Sequence, residues 1–122
     1  MTQLKILIVD DDETSRMLLT KFINKQSLEI LTATNGFEAI ETFRNNPDIS
    51  IILMDIKMPG IDGFEATRRI RLLDDRVIII AQTAYALMGD RQRVIESGCN
   101  DYITKPVRRD DLISVIGKHI DI

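Results

Sequence analysis

The 122-residue sequence has one cysteine, Cys99, so no internal disulfide can form and a reducing, cytoplasmic setting is expected. No apolar run approaches the length of a bilayer-spanning helix, so no membrane insertion is expected. The opening residues Met1 to Lys5 lack the charged, apolar and small-residue segments of a secretory leader. Charge of one sign does not dominate: 16 basic and 19 acidic residues leave a net charge of -3, and the bulk composition favours neither nucleic acid nor an anionic membrane. Aromatic residues, at 5%, do not interleave with Arg68, Arg69, Arg71, Arg91 and Arg93. Those arginines are therefore read as solvated helix faces, and no direct nucleic acid binding is expected. There is no internal repeat, low-complexity tract or linker. Residues 1–122 are expected to form one domain, with no output domain attached.

What is present is a globular pattern, 44% hydrophobic and 29% charged. Apolar runs at Leu4–Val9, Ile51–Met54 and Val77–Ala81 predict strands, as do the more polar Leu28–Ala33 and the short Asn100–Ile103. Between them, helical spacing predicts a helix over Glu13–Gln26 burying Met17, Leu18, Phe22 and Ile23, and a second after Asn35-Gly36 burying Phe37, Ile40 and Phe43. A third follows Asp62-Gly63 with Phe64, Ile70 and Leu73 inward. A fourth, about Leu87–Ser97, contains Gly89 and few apolar anchors, and is expected to be short and mobile, with Gly98 as its C-cap. The last, from Arg108, buries Leu112, Val115, Ile116 and Ile120. Strands alternating with helices across short connections predict an α/β doubly wound sandwich around a five-stranded parallel sheet. The second strand is the more polar and belongs at an edge, which gives the order 2-1-3-4-5.

Parallel strands end on one side of the sheet, so the residues that follow them converge. Asp10 and Asp11 follow the first strand, Asp55 the third, Thr83 the fourth and Lys105 the fifth. Asp55 stops a buried apolar run just before the turn at Pro59-Gly60, which makes it the candidate nucleophile for a phosphoryl group. Carboxylates gathered in this way repel one another, and Mg2+ bound through oxygen would offset the repulsion. Lys105 would add a fixed positive charge, while the Thr83 hydroxyl and a backbone N–H near Ala84 would donate to phosphoryl oxygens. Asp12 and Glu13 are read as acids at a helix start.

Ile6-Leu7-Ile8-Val9-Asp10-Asp11-Asp12, Leu53 to Gly63 around Asp55, Gln82-Thr83-Ala84 and Lys105-Pro106 together resemble the receiver domain of two-component response regulators, in order and end to end. The resemblance implies a flavodoxin-like (βα)5 fold and a phosphoacceptor signalling role. Asp55 would take the phosphoryl group from a phosphohistidine on a sensor histidine kinase or a histidine phosphotransfer protein. Asp10, Asp11, Asp55 and the backbone carbonyl of Lys57 would bind Mg2+, and Thr83, Ala84 and Lys105 would bind the phosphoryl group. Thr83 and Tyr102 would act as the switch, altering the face formed by the fourth helix, fifth strand and fifth helix, where a dimer could also form from an otherwise monomeric chain. The bond before Pro106 would be cis. The domain would catalyse only its own phosphorylation and a slow autodephosphorylation. The segment Ala84 to Arg91 is similar to receivers attached to hybrid sensor kinases, and bulky Lys57 and Tyr85 would hinder the attacking water.

Other readings stay open at this point. Asp10-Asp11-Asp12-Glu13-Thr14 also spells the Asp-x-Asp-x-Thr signature of haloacid-dehalogenase-like phosphatases, with Asp10 as nucleophile and Asp12 as general acid. A flavin or nucleotide module would need a Gly/Ser/Thr-rich loop after the first strand, where this chain has acids. A receiver serving only as a docking surface would not need the chemical residues found here. Cys99 is expected to pack as a small buried hydrophobe, and His119 to face solvent.

Overall fold

Five strands and five helices alternate along the chain in a computed structural model that describes residues 4–24, 28–84 and 88–120. They are β1 Leu4–Val9, α1 Glu13–Ile23, β2 Leu28–Ala33, α2 Gly36–Asn45, β3 Ile51–Asp55, α3 Gly63–Leu73, β4 Ile78–Thr83, α4 Met88–Ser97, β5 Asp101–Thr104 and α5 Arg109–Gly117. All neighbouring strands are parallel and the order is β2-β1-β3-β4-β5, with β2 at an edge as its polarity predicts. β3, in the centre, is buried along its whole length. Leu87, Gln26 and Tyr85 lie outside the described residues.

Strand alternation divides the core into two layers. Leu7, Val9, Ile52, Met54, Ile79 and Ala81 pack with Phe43, Phe64, Ile70 and Val94, on the side of α2, α3 and α4. Ile6, Ile8, Ile51, Leu53, Ile80 and Ile103 pack on the opposite side with Leu19 and Ile23 of α1 and Leu112 and Ile116 of α5. Three helix starts are fixed by side chains: Asp12, Asn35 and Asp62 each accept from the backbone N–H three residues on. Each such cap contributes about 1 kcal/mol.

Several expected core positions lie outside. Met17 and Leu18 are half exposed because Leu19 and Ile23 form the inward stripe of α1, four residues apart. Phe37 is 55% exposed because Ala39, Ile40 and Phe43 take the inner face of α2; the ring lies under the Arg69 guanidinium, 5.6 Å away. Leu73, at the last turn of α3, reaches the rim beside Phe37, Ile40 and Leu72. Val115 in α5 and Ile120, three residues beyond its end, are only half-buried.

Two further expectations need correction. Arg71 is not a solvated face: its Nε donates to the Gly98 carbonyl at 2.8 Å and its Nη2 to Asn100 Oδ1 at 2.7 Å, tying α3 to the turn before β5. Asn100 Oδ1 also accepts from the Ile79 N–H, so one side-chain oxygen links three elements. His119 does not face solvent freely, since its Nε2 lies 3.0 Å from Asp101 Oδ2 and its side chain is mostly covered. Cys99 is buried as expected, and burial pushes its thiol up, away from reactivity.

Candidate active site

The alternation that builds the core also aims the site. Ile8, Leu53, Ile80 and Ile103 all face the α1/α5 layer. Two residues further along each strand stand Asp10, Asp55, Gln82 and Lys105, so the apolar row continues past the sheet edge as a polar one. β3 and β4 place Asp55 and Gln82 side by side in register. Thr83 falls on the opposite face, above Ala81. Asp55 closes β3 itself rather than starting the following loop.

Asp10, Asp11 and Asp55 each bring a carboxylate oxygen into a cluster within 4.8 Å of one another. Asp10 is 1% exposed and Asp55 2% exposed, whereas Asp11 is open to solvent. One Asp10 oxygen accepts from the Asp12 N–H at 2.9 Å; the other, Oδ2, is buried without a hydrogen-bond partner. Lys105 Nζ reaches in from beyond β5, 3.0 Å from Asp55 Oδ1 and 3.6 Å from Asp10 Oδ2. The Lys105 N–H is held by the Thr83 carbonyl at 2.8 Å, which carries the β4–β5 ladder one residue past the strand and fixes where the amine emerges.

Burial dominates the electrostatics of Asp55. It pushes the carboxyl up to about 6; Lys105 opposes this through its hydrogen bond and charge, and Asp10 and Asp11 reinforce it. Burial alone would lower the Lys105 ammonium, but the Asp55 hydrogen bond and charge, with Asp10 behind them, more than reverse that and raise it. The lysine is thus held charged, while its partner gives up its proton at a higher pH than an ordinary aspartate.

The loop after β3 is shaped by two glycines. Gly60 follows Pro59 with φ +82°, a left-handed conformation that L side chains rarely adopt. At Gly63, a Cβ would collide with the backbone of Asp55 and Ile56, and the Gly63 N–H donates to the Ile56 carbonyl at 2.8 Å. The start of α3 therefore lies directly against the end of β3. The resulting open cavity, ≈ 590 Å³, is lined by Asp55, Lys57, Thr83, Ala84 and Lys105, with Arg93 and Phe64 on its α3/α4 side. Arg93 lies over the Phe64 ring at 4.5 Å.

Of the residues singled out in the sequence, Asp10, Asp11, Asp55, Lys105, Thr83, Ala84 and Lys57 do gather here. Tyr102 sits apart, partly buried at the α4 side, its hydroxyl accepting from Arg91 Nη2 at 2.7 Å and its ring 5.5 Å from that guanidinium. The Lys105-Pro106 bond is cis. Asp12 is not in the cluster: it is exposed and accepts from the Ser15 N–H and hydroxyl, bonds that hold its carboxyl below the usual range. Asp12 thus caps α1 outside the carboxylate cluster instead of facing Asp10 as a general acid, which counts against the dehalogenase-like reading. Gln82, Gly63 and Arg93 were not singled out for roles. A lone amide closing an otherwise apolar strand, and glycine directly after the Asp62 cap, were the available signals.

Comparison with known proteins agrees with this geometry. Residues 6–117 match the family model described as the response regulator receiver domain. The sporulation initiation phosphotransferase F of Bacillus subtilis is 33% identical over 97% of this chain and 94% of its own length. The receiver domain of sensor histidine kinase PA1611 from Pseudomonas aeruginosa, solved with a magnesium ion coordinated in its active-site cleft, superposes with a TM-score of 0.86 at 32% identity, covering 96% of this chain and 97% of that one. The co-crystal of the Saccharomyces cerevisiae histidine phosphotransfer protein Ypd1 with the receiver domain of Ssk1 gives a TM-score of 0.90 at 31% identity, covering 97% of this chain and 89% of that one. Curated relatives differ greatly in length, and this chain spans from 7% to 94% of them. With its acids, hydroxyl and amine gathered at one sheet edge, the chain belongs to the response regulator receiver domain family, the receiver domains of two-component phosphorelay systems.

Proposed function

We propose that Asp55 is the phosphoacceptor and that residues 1–122 act as a single receiver domain. The observation that carries this reading is the Lys105 ammonium 3.0 Å from Asp55 Oδ1, over a three-carboxylate cluster. An Asp55 oxygen attacks the phosphorus of a phosphohistidine. The N–P bond breaks, its electron pair stays on the imidazole nitrogen, which then takes a proton, and Asp55 becomes an acyl phosphate. Lys105 binds a phosphoryl oxygen and balances the developing charge; Thr83 and the Ala84 N–H donate to the others.

The residues fit Mg2+: three carboxylates converge, all donors are hard oxygens, and Asp10 Oδ2 is buried without a hydrogen-bond partner. Asp10, Asp11, Asp55 and the Lys57 backbone carbonyl would hold it. When bound, Mg2+ supplies the positive charge that lets an anionic donor approach an anionic acceptor.

The yeast complex supports a histidine phosphotransfer protein or sensor histidine kinase as the donor. After phosphorylation Thr83 turns toward the new group and Tyr102 leaves Arg91 to fill the space, changing the α4, β5 and α5 surface. Among the described residues no helix is long and apolar enough to cross a membrane, and a cytoplasmic setting suits the free thiol of Cys99.

Incubation with acetyl phosphate and Mg2+, followed by peptide mapping, tests the assignment. One phosphoryl group on Asp55, absent from Asp55→Asn, is the expected result. Label on Asp10, or none on any residue, overturns it.

A further inference from the structure

Gln82 presents a problem that the phosphoacceptor reading leaves unsolved. It is 1% exposed, yet neither its Nε2 nor its Oε1 has a hydrogen-bond partner among the described residues. Buried amide atoms are rarely left so, and an apolar side chain would extend the row of Leu53, Ile80 and Ile103 without leaving bonds unmade. Packing therefore does not call for an amide here.

Its surroundings do. Behind the acids, toward α1 and α5, lies a second and smaller cavity of ≈ 130 Å³, lined by Asp10, Ser15, Gln82 and Lys105 and walled on its apolar side by Leu18, Leu19 and Val107. Gln82 and Lys105 line both this chamber and the larger one in front of Asp55, so these two side chains form the partition between them. Asp10 and Gln82, which both line the chamber, carry three buried polar atoms without hydrogen-bond partners among the described residues: Gln82 Nε2, Gln82 Oε1 and Asp10 Oδ2. Lys105 Nζ stops 3.6 Å from that Asp10 oxygen, too far for a direct hydrogen bond. The chamber wall is largely apolar, so the Gln82 amide stands there beside Asp10 and Lys105 among few other polar groups, and an amide can donate and accept at once.

We infer that Gln82 is a positioning residue for phosphoryl transfer, its buried amide fixing Lys105 and Asp10 from the chamber behind them. It touches neither donor nor phosphorus. Standing in register beside Asp55 and lining both cavities with Lys105, it sets the direction from which Lys105 and Asp10 address Asp55. Small misplacements of such groups are amplified in rate because transfer needs close alignment.

The inference rests on Asp55 being the phosphoacceptor, and its test keeps the two separate. Initial rates of phosphorylation are measured over a range of acetyl phosphate concentrations with Mg2+ for the parent, Gln82→Leu and Gln82→Met, alongside thermal melts. In this reaction the Asp55 oxygen bonds to phosphorus as the P–O bond to the acetyl group breaks, and acetate leaves with the electron pair. Gln82→Leu is expected to melt at or above the parent temperature while its maximal rate falls about tenfold at an unchanged half-saturating concentration. Should Gln82→Leu not fold, Gln82→Met gives the same readout at nearly the same volume. A folded variant with the parent's maximal rate, or one altered only in half-saturation, overturns the inference and leaves the phosphoacceptor reading standing. A parent that accepts no phosphoryl group overturns both.

Discussion

Lys105 Nζ stands 3.0 Å from Asp55 Oδ1 but 3.6 Å from Asp10 Oδ2, so the amine is committed to the acceptor and only leans toward the neighbouring acid. Lys105→Met should slow phosphorylation by acetyl phosphate about 100-fold, the scale on which removal of a preorganised donor acts. Lys105→Arg should recover only part of this, because a planar fork does not reproduce a compact ammonium 3.0 Å from Asp55 Oδ1. Stopped-time assays of acyl phosphate formation report both.

The raised Asp55 carboxyl makes the metal-free protein sensitive to pH in a direction unusual for an aspartate. Folding holds its proton up to about pH 6, whereas the unfolded chain releases it near the ordinary 3.8. The contribution of this group to stability is fully present below the unfolded value and is lost as pH rises through the folded one. Urea midpoints in the absence of divalent metal should therefore carry a component falling between about pH 4 and pH 6 that Asp55→Asn lacks. At pH 7 that variant should be more stable by about 1–2 kcal/mol, the loss of Lys105's partner offsetting part of the gain.

Millimolar Mg2+ should raise the melting temperature by several degrees, because it binds the folded chain and not the unfolded one, and a chelator should reverse the shift. Asp11→Asn, at the exposed member of the cluster, should weaken this response without lowering the metal-free melting temperature. Scanning calorimetry with and without the metal separates the two effects.

Gly63→Ala tests the contact between α3 and β3. The added methyl would meet the backbone of Asp55 and Ile56, which no rotamer change can relieve. A loss of about 2–4 kcal/mol in urea unfolding is expected, with phosphorylation impaired as well because Asp55 must move.

Much of the fold is legible in the sequence because strand burial here is continuous and turn chemistry is conventional. Three strands, β1, β3 and β4, are nearly unbroken apolar runs, and the more polar Leu28–Ala33 strand declared its edge position. The residues at strand ends followed from parallel topology alone. Less legible was the extent of each helical stripe: Ile23, Ile40, Phe43, Phe64 and Ile70 are buried as their spacing predicts, but Met17, Leu18, Phe37 and Leu73 lie at the margins and stay exposed, with Leu19 buried in α1 instead. Arg71 was misread for a related reason, since its partners Gly98 and Asn100 lie 27 and 29 residues distant in sequence. Gln82 showed itself only when the space around it could be seen.

The two faces of the sheet divide the labour of the site. The acids, the amine and Gln82 continue the α1/α5 layer, whereas Thr83 continues the layer covered by α3 and α4. A group added to Asp55 is thus gripped from one side of the molecule and felt from the other. Drift in the residues of α4 can retune what a signal says without disturbing how it is received, and drift around α1 can change the speed of reception without altering the message.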